Sequence, residues 1–165
     1  MELIRPDWEA PPVIAAAATT RAGGVSTGPF AECNLGAHVG DDPAAVAENR
    51  RRLAEALALP DEPAWLAQVH GTRVVEAAPG GTQAEADAAV TWQPGVVCAV
   101  LTADCLPVLL ASRGGDEVAA VHAGWRGLAD GVVAAALEAM RTPPEQLLAW
   151  LGPAIAQPAF EVGDE

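Results

Sequence analysis

Three residues that could hold a metal ion or act in nucleophilic catalysis stand at the ends of strand-like runs: His70, Cys105 and His122. Residues 106–111 follow Cys105 directly, and residues 118–121 end immediately before His122. Short apolar runs bounded by glycine or small polar residues are typical of buried strands. Loops at strand ends are where α/β proteins place reactive groups, because a rigid sheet holds them while they stay open to solvent.

Two imidazoles and one thiolate are suitable zinc ligands, and three protein ligands leave a fourth position for water or substrate, as catalytic zinc requires. The three residues are 35 and 17 positions apart, and no short zinc motif is present. Free cysteine often packs as a small hydrophobic residue, which is the favoured interpretation of Cys98 within 96–101. His122 could equally be a hydrogen-bonded structural histidine. From the residues alone, a shared metal site and separate structural roles both stay open.

A second chemistry uses the same residues without a metal. Cys105 and His122 could form a thiolate–imidazolium pair, with Asp104 or another polar group orienting the ring. Such an enzyme works metal-free and is inactivated by alkylation of its thiol, whereas a zinc site shields its thiolate. A structural zinc module is a weaker interpretation, because structural zinc normally has four protein ligands and Cys33 or His38 would have to supply the fourth.

Composition indicates one folded domain. The chain has 165 residues, of which 51% are hydrophobic and 19% charged, enough to bury a core without disulfides. No apolar run approaches the roughly 20 residues that span a bilayer. The N-terminal segment lacks the basic start and apolar stretch of a signal peptide, so a cytoplasmic location is expected.

The charge and the cysteine content limit the kinds of partner and site that this chain is expected to have. The net charge is −13, and all nine cationic side chains are arginine. Nucleic-acid binding is not expected, because it depends on a cationic surface, whereas arginine suits local bidentate contacts to phosphate or carboxylate. The three cysteines are widely spaced and form a poor disulfide framework, which leaves their thiols free for metal or nucleophilic work.

Strand-like and helical patterns alternate, which predicts a layered α/β/α domain with a mixed sheet. Asp42 and Pro43 begin the clearest helix, with aspartate as its cap and proline in its first turn. Before that helix lies a long loop rich in glycine, and loops of this length are often functional. Further predicted elements are strands at 65–69, 72–77, 96–101 and 147–151, a strand or short helix at 13–20, and one helix over 128–140.

Several motifs together resemble a known family: TTRAGGVSTGPFAECNLGAHVGDDP, ENRRRL, WLAQVHG, ADAAVT, LTADCLPVLL, AAVHAGWRG, and WLGPAI with FEVG. In this order, and over almost the whole chain, they are similar to the bacterial laccase-domain family. Its members are variously labelled polyphenol oxidase, multicopper oxidoreductase, purine nucleoside phosphorylase or peptidoglycan editing factor. The resemblance implies one laccase-like domain over 1–165, with zinc held by the residues here numbered His70, Cys105 and His122.

The resemblance also implies an activity. It implies phosphorolysis of purine nucleosides (adenosine, inosine, guanosine and methylthioadenosine) together with adenosine deamination, so the expected partners are a nucleoside and phosphate. Members of the family usually continue for several dozen residues beyond FEVG. A chain ending at Glu165 is therefore expected to lack the family's C-terminal portion.

Further site residues follow from the chemistry. Phosphorolysis needs an anion site, and Arg21 beside its glycines and Arg50 on the first helix are the predicted phosphate partners. Asn34 and His38, in the long loop, are predicted to position the nucleoside. Asp104 is predicted to be catalytic, orienting a ligand or moving a proton, although aspartate in a tight turn is often a capping group.

The oxidase and hydrolase labels define two alternatives. A multicopper oxidase needs a trinuclear copper cluster as well as a blue copper site, and the three histidines of this chain cannot build both. One His-Cys-His site could bind a single copper ion, since copper outcompetes zinc for most nitrogen and sulfur sites. The peptidoglycan-editing label would suit a Cys-His hydrolase acting on an amide-linked peptidoglycan precursor, which is the main alternative.

Overall fold

The structure is a computed structural model that describes residues 1–157 and 159–161. The end of the FEVG motif, at 162–163, lies outside these residues. None of the described helices has the length and apolarity that crossing a membrane requires. The elements are β1 (Leu3–Ile4), β2 (Ala18–Thr19), α1 (Pro43–Leu57), β3 (Val74–Glu76), β4 (Ala88–Thr91), β5 (Leu106–Ser112), β6 (Val118–Ala123), α2 (Trp125–Asp130), α3 (Val132–Ala139) and β7 (Leu147–Leu151).

The main sheet has five strands in the order β3-β4-β6-β5-β7, and β1 pairs with β2 in a separate ribbon. β3 and β4 are parallel, and the other neighbours are antiparallel. The predicted α/β domain with a mixed sheet is therefore confirmed. Of the predicted strand or short helix at 13–20, only the two residues of β2 are paired.

Strand pairing brings four chain segments to one end of the sheet. The first residue of β5, Leu106, pairs with the last residue of β6, Ala123. Ala88 at the start of β4 pairs with Val121, and Val74 at the start of β3 pairs with Ala88. The residues that precede β3, β4 and β5 therefore meet the C-terminal end of β6, although they are far apart in sequence.

Two clusters of buried side chains pack on opposite faces of the sheet. Ala88 and Val90 of β4 belong to one cluster and Ala89 to the other, because successive side chains of a strand point to opposite faces. Helix α3 covers the first face with its buried side chains. Extended segments around 64–66 and 96–100 cover the second face.

The predicted strands at 65–69 and 96–101 do not form, and each segment makes only isolated single-residue bridges. Val96, Cys98 and Val100 instead pack against the second cluster with every other side chain. An extended segment that lies over a sheet shows the same alternating burial as a strand within it. Sequence periodicity therefore predicts extended backbone correctly but not the pairing partner.

The helix predicted over 128–140 is divided into α2 and α3. Gly131 lies between them with φ of 96°, a left-handed conformation that caps α2 and redirects the chain. The apolar stripe continues across the break, which is why the sequence pattern resembles a single helix. The first helix, in contrast, begins at Pro43 as predicted.

Substituting Asp42 with alanine is expected to destabilise the fold by about 1 kcal/mol. The Asp42 side chain accepts a hydrogen bond from the Ala44 amide at 2.9 Å, so alanine leaves one amide of the first turn without its cap. Urea unfolding followed by circular dichroism measures the loss, and Asp42→Ser, which can still cap, is the control. Equal stability of Asp42→Ala and wild type would show that the cap contributes nothing.

Candidate metal centre

His70, Cys105 and His122 converge at the end of the sheet. Their ligand atoms all lie within 4.8 Å of one another, and the Cys105 Sγ atom is 3.8 Å from His70 Nε2. The two imidazole rings meet edge to face, with centroids 4.7 Å apart. His122 is buried, Cys105 is half-buried and His70 is exposed, so the cluster opens to solvent on the His70 side. Two nitrogen donors and one sulfur donor at this spacing could hold a metal ion.

Sheet register explains how two of these residues meet. Cys105 directly precedes β5, whereas His122 lies within β6 and pairs with Pro107. The sequence places His122 in the turn after 118–121, but β6 extends through Ala123. On its other side the His122 amide donates to the carbonyl of Asp87, the residue before β4, at 2.7 Å.

Gln68 ties the His70 loop to the Cys105 loop. Its side-chain Nε2 donates to the Leu101 carbonyl at 2.7 Å, and its Oε1 accepts from the Leu101 amide at 2.7 Å. The side-chain amide thus pairs with Leu101 as a backbone amide of a neighbouring strand would. This contact links the QVHG motif to the residue that directly precedes the TADC motif.

Asp87 is a site residue that sequence reasoning missed. It is fully buried, and its carboxylate oxygen Oδ1 accepts a hydrogen bond from the His70 amide at 2.9 Å and lies 2.8 Å from His122 Nδ1. The other oxygen, Oδ2, accepts from the amides of Val69 at 3.2 Å and Gly71 at 2.8 Å. A carboxylate directly before the fully buried strand β4 was the available signal, because buried charges require several partners.

Opposing effects act on the pKa of Asp87. Burial raises the pKa of its carboxyl group, but the hydrogen bonds from His122 and the backbone amides of Gly71, Val69 and His70 together outweigh burial. The pKa is therefore held below its usual range. The carboxyl group is ionised at neutral pH and can act only as an acceptor.

Glycine at position 124 allows His70 and Cys105 to lie close to the backbone at the start of α2. A Cβ atom on Gly124 would lie 2.7 Å from His70 Cδ2 and 3.1 Å from Cys105 Sγ. A Cβ atom on Gly127 would lie 2.9 Å from the carbonyl oxygen of Gly71. The glycines of HAGWRG thus let the start of α2 pack directly on the loops that carry His70 and Cys105.

The surroundings of Cys105 differ from those of Cys98. Burial raises the pKa of the Cys105 thiol, and the charges of Asp104 and Asp87 raise it further. Asp104 is exposed beside this thiol, where the sequence places it. Cys98 is packed in the second core cluster, and burial raises its pKa to about 12, in agreement with a structural role.

Both predicted phosphate partners contact the glycine-rich loop. Arg50 donates from Nε and Nη2 to the Leu35 carbonyl at 3.0 and 2.8 Å, and its guanidinium lies 4.0 Å from the ring centroid of Trp65. Arg21 donates from Nε to the Ala31 carbonyl at 2.8 Å. Within the described part of the chain, no hydrogen bond links either guanidinium to the His-Cys-His cluster. Their role in phosphate binding stays a prediction.

The two predicted nucleoside residues have different surroundings. Asn34 shapes its own loop, since its side chain bonds to the amide and carbonyl of Gly36 and donates to Asp41 at 3.0 Å. His38 is exposed nearby. Asn49, which sequence reasoning passed over, is fully buried and bonds to four loop groups: the Val25 amide, the Ser26 hydroxyl and the carbonyls of Glu32 and Asn34. Helix α1 therefore holds the loop in a defined shape.

The whole chain resembles known proteins. A family model described as multi-copper polyphenol oxidoreductase laccase matches residues 15–165. A relative from Pseudomonas aeruginosa, named purine nucleoside phosphorylase, is 56% identical over 162 residues, which cover 98% of this chain and 66% of the relative. The Escherichia coli protein named purine nucleoside phosphorylase YfiH is 54% identical over 166 residues, which cover 99% of this chain and 68% of that protein.

Solved structures show the same fold. A Neisseria meningitidis protein superimposes with a TM-score of 0.91 at 52% identity, over 98% of this chain and 66% of that one. YlmD from Geobacillus stearothermophilus superimposes with a TM-score of 0.81 at 34% identity, over 93% of this chain and 66% of YlmD. The chain spans about 66% of the length of these relatives. It belongs to the family described as multi-copper polyphenol oxidoreductase laccase, as its motifs predict.

Proposed function

We propose that this chain is a zinc-dependent purine nucleoside phosphorylase with its metal at His70, Cys105 and His122. The observation that carries the proposal is the convergence of these three donors within 4.8 Å, in a chain 56% identical to a relative named purine nucleoside phosphorylase. Two imidazoles and a thiolate favour zinc over magnesium or calcium, which prefer oxygen ligands. When bound, zinc would supply Lewis-acid polarisation of a water or substrate atom at its open position.

The proposed substrates are adenosine, inosine, guanosine and methylthioadenosine, with phosphate as the acceptor. Adenosine deamination is proposed at the same site, with Asp104 moving a proton beside the ligands. Assays of adenosine with and without phosphate separate the two reactions. Release of adenine that requires phosphate supports phosphorolysis, and phosphate-independent formation of inosine supports deamination. Absence of both products from zinc-loaded protein would contradict the proposal.

Replacing Arg50 with alanine is expected to raise the KM for phosphate about tenfold or more, since a hydrogen bond to a charged group contributes roughly 1.5–3 kcal/mol. The guanidinium already donates to Leu35 from Nε and Nη2, so Nη1 is the group proposed to meet phosphate. Steady-state kinetics at varied phosphate measure the effect, and metal content should not change. Arg51→Ala is the matched control, because Arg51 pairs with Glu48 and Glu55 on the exposed face of α1. Unchanged phosphate kinetics in Arg50→Ala would remove Arg50 from the site.

A cytoplasmic location belongs to the same proposal. All three cysteines are free of disulfides, which suits a reducing compartment. The proposed partners are small molecules, and the net charge of −13 disfavours nucleic acid. Copper oxidase chemistry remains the least favoured function despite the family's description, because three histidines cannot supply a trinuclear cluster and a blue copper site.

The alternative is a Cys-His hydrolase of an amide-linked peptidoglycan precursor. The sequence pairs Cys105 with His122, whereas the imidazole within contact of the thiol is that of His70, at 3.8 Å from Cys105 Sγ to His70 Nε2. A thiol and an imidazole at this distance could form a catalytic pair, which favours the alternative. Activated cysteines, however, lie in surroundings that lower the thiol pKa, and here burial and Asp104 act in the opposite direction. The metal-dependent enzyme is therefore preferred.

Alkylation at about pH 8 separates the two functions. If zinc is bound, iodoacetamide is expected to modify Cys105 many times more slowly before treatment with a chelator than after it, because the metal shields the thiolate. Cys98, with a pKa of about 12, is the internal control and should stay unmodified in both samples. Peptide mass spectrometry reads out both sites. Enzyme activity that survives chelation and is lost on alkylation would favour the hydrolase.

A further inference from the structure

We propose that Asp87 is the positioning residue of the metal centre: it selects Nε2 of His122 as the ligand atom and holds the turn that presents His70. The effect on metal binding rests on the proposed function, but the contacts of Asp87 with the two histidines are present in the chain without metal. Asp87 contacts both histidines of the cluster with one carboxylate.

The tautomer of His122 follows from the hydrogen-bond donors that surround the Asp87 carboxylate. Among the described residues, four nitrogen atoms lie within hydrogen-bonding distance of the Asp87 carboxylate: the amides of Val69, His70 and Gly71, and Nδ1 of His122. Three of these groups are backbone N–H groups, which can only donate, so both carboxylate oxygens already act as acceptors, and Nδ1 of His122 is placed to be the fourth donor. In neutral imidazole the other nitrogen then bears the lone pair, which leaves Nε2 free to bind a metal ion.

The same carboxylate holds the backbone at His70. This residue has φ of 60°, a left-handed conformation that is uncommon outside glycine. The amides of 69–71 all point to Asp87, and these three hydrogen bonds offset the cost of the strained turn. The His122 amide also donates to the Asp87 carbonyl at 2.7 Å. Asp87 therefore fixes both histidines relative to one another.

Asparagine at position 87 is a sharp test because it keeps the volume and changes one acceptor into a donor. Whichever way the amide is turned, its NH2 group faces N–H donors. If the NH2 group replaces Oδ1, it meets His122 Nδ1 and the His70 amide; if it replaces Oδ2, it meets the amides of Val69 and Gly71. In the first orientation His122 can keep its contact only as the other tautomer, with its proton on Nε2, and in the second orientation two of the three turn hydrogen bonds are lost.

Glu117 offers a matched control. It is also a buried carboxylate, 3% exposed, and it accepts hydrogen bonds from the amides of Arg141 at 2.8 Å and Thr142 at 2.9 Å. It directly precedes β6, at the opposite end of that strand from His122. Glu117→Gln therefore weakens a buried carboxylate–amide contact away from the metal ligands.

The first measurement is the tautomer of His122 in the metal-free chain, by long-range ¹H–¹⁵N correlation NMR at mildly alkaline pH. The expected wild-type result is a proton on Nδ1, retained in Glu117→Gln. A proton on Nε2 in the wild type would overturn the inference, whether or not Asp87→Asn folds. This readout needs no metal, so its failure is distinct from failure of the proposed function.

The second measurement is zinc affinity by competition with a chromogenic chelator. Asp87→Asn is expected to raise the zinc Kd about 10–100-fold, the usual effect of removing a partner of a histidine ligand. Glu117→Gln should stay within about twofold of wild type. A folded Asp87→Asn that binds zinc as tightly as wild type would overturn the inference and leave Asp87 a purely structural residue. A wild-type chain that binds no zinc would instead contradict the proposed function, and would also remove the metal consequence claimed for Asp87.

Discussion

Replacing Cys105 with alanine is expected to remove bound metal completely. The purified protein should contain about one zinc ion per chain, and the variant none, because two imidazoles without the thiolate leave only half of a tetrahedral shell to the protein. Mass spectrometry of metal content makes the measurement. The effect is the largest expected here because it removes the sulfur donor and its charge together.

Cys98→Ala is the control for this result. Cys98 is a similar thiol within a core cluster, so its loss should lower stability without changing metal content. Circular dichroism of both variants shows that they are folded. Zinc retained by folded Cys105→Ala would remove Cys105 from the ligands. Absence of metal from the wild type as well would contradict the zinc mechanism and place the Cys105 hydrolase first.

Alanine at position 124 is expected to weaken zinc binding at least tenfold with no ligand removed. Its Cβ atom would lie 2.7 Å from His70 Cδ2 and 3.1 Å from Cys105 Sγ, well inside contact distance. The His70 ring would have to move, yet its backbone is held by Asp87. A small displacement of a ligand is enough to spoil a metal site. Chelator competition measures zinc affinity in this variant.

Gly36→Ala is the matched control for the added methyl group. Its Cβ atom would have its nearest neighbour at 3.4 Å, an ordinary contact, and zinc affinity should stay at the wild-type value. Gly36 lies in the loop predicted to bind the nucleoside, so only metal binding is compared. If Gly124→Ala binds zinc normally, the close packing of Gly124 on His70 does not constrain the ligands.

Local chemistry made several features predictable. Asp42 and Pro43 correctly predicted the start of α1, because capping and proline preferences act within one turn of the helix. Short apolar runs at 106–111 and 118–121 correspond to β5 and β6. His70, Cys105 and His122 could be grouped because each lies next to a strand-like run of the sequence and matches a family motif.

Pairing between distant segments was not predictable in this way. Residues 96–101 have the pattern of a strand but cover the sheet, because periodicity reports which side chains are buried and not which backbone is bonded. Likewise, Arg21 and Arg50 were predicted from their charge, while the carbonyls they contact depend on how the glycine-rich loop folds on α1.

Asp87 is the clearest example of a residue whose place in the site could not be predicted from sequence and became evident only in the tertiary structure. Sequence alone was enough to identify the family, the mixed α/β fold and three side chains that could bind a metal ion. The sequence did not indicate that the buried carboxylate of Asp87 contacts His70 and His122, because Asp87 is 17 residues after His70 and 35 before His122. Only the parallel pairing of β3 with β4 and the antiparallel pairing of β4 with β6 bring these residues together. Hydrogen bonds then require donors and acceptors within about 3 Å, a condition that no one-dimensional spacing expresses.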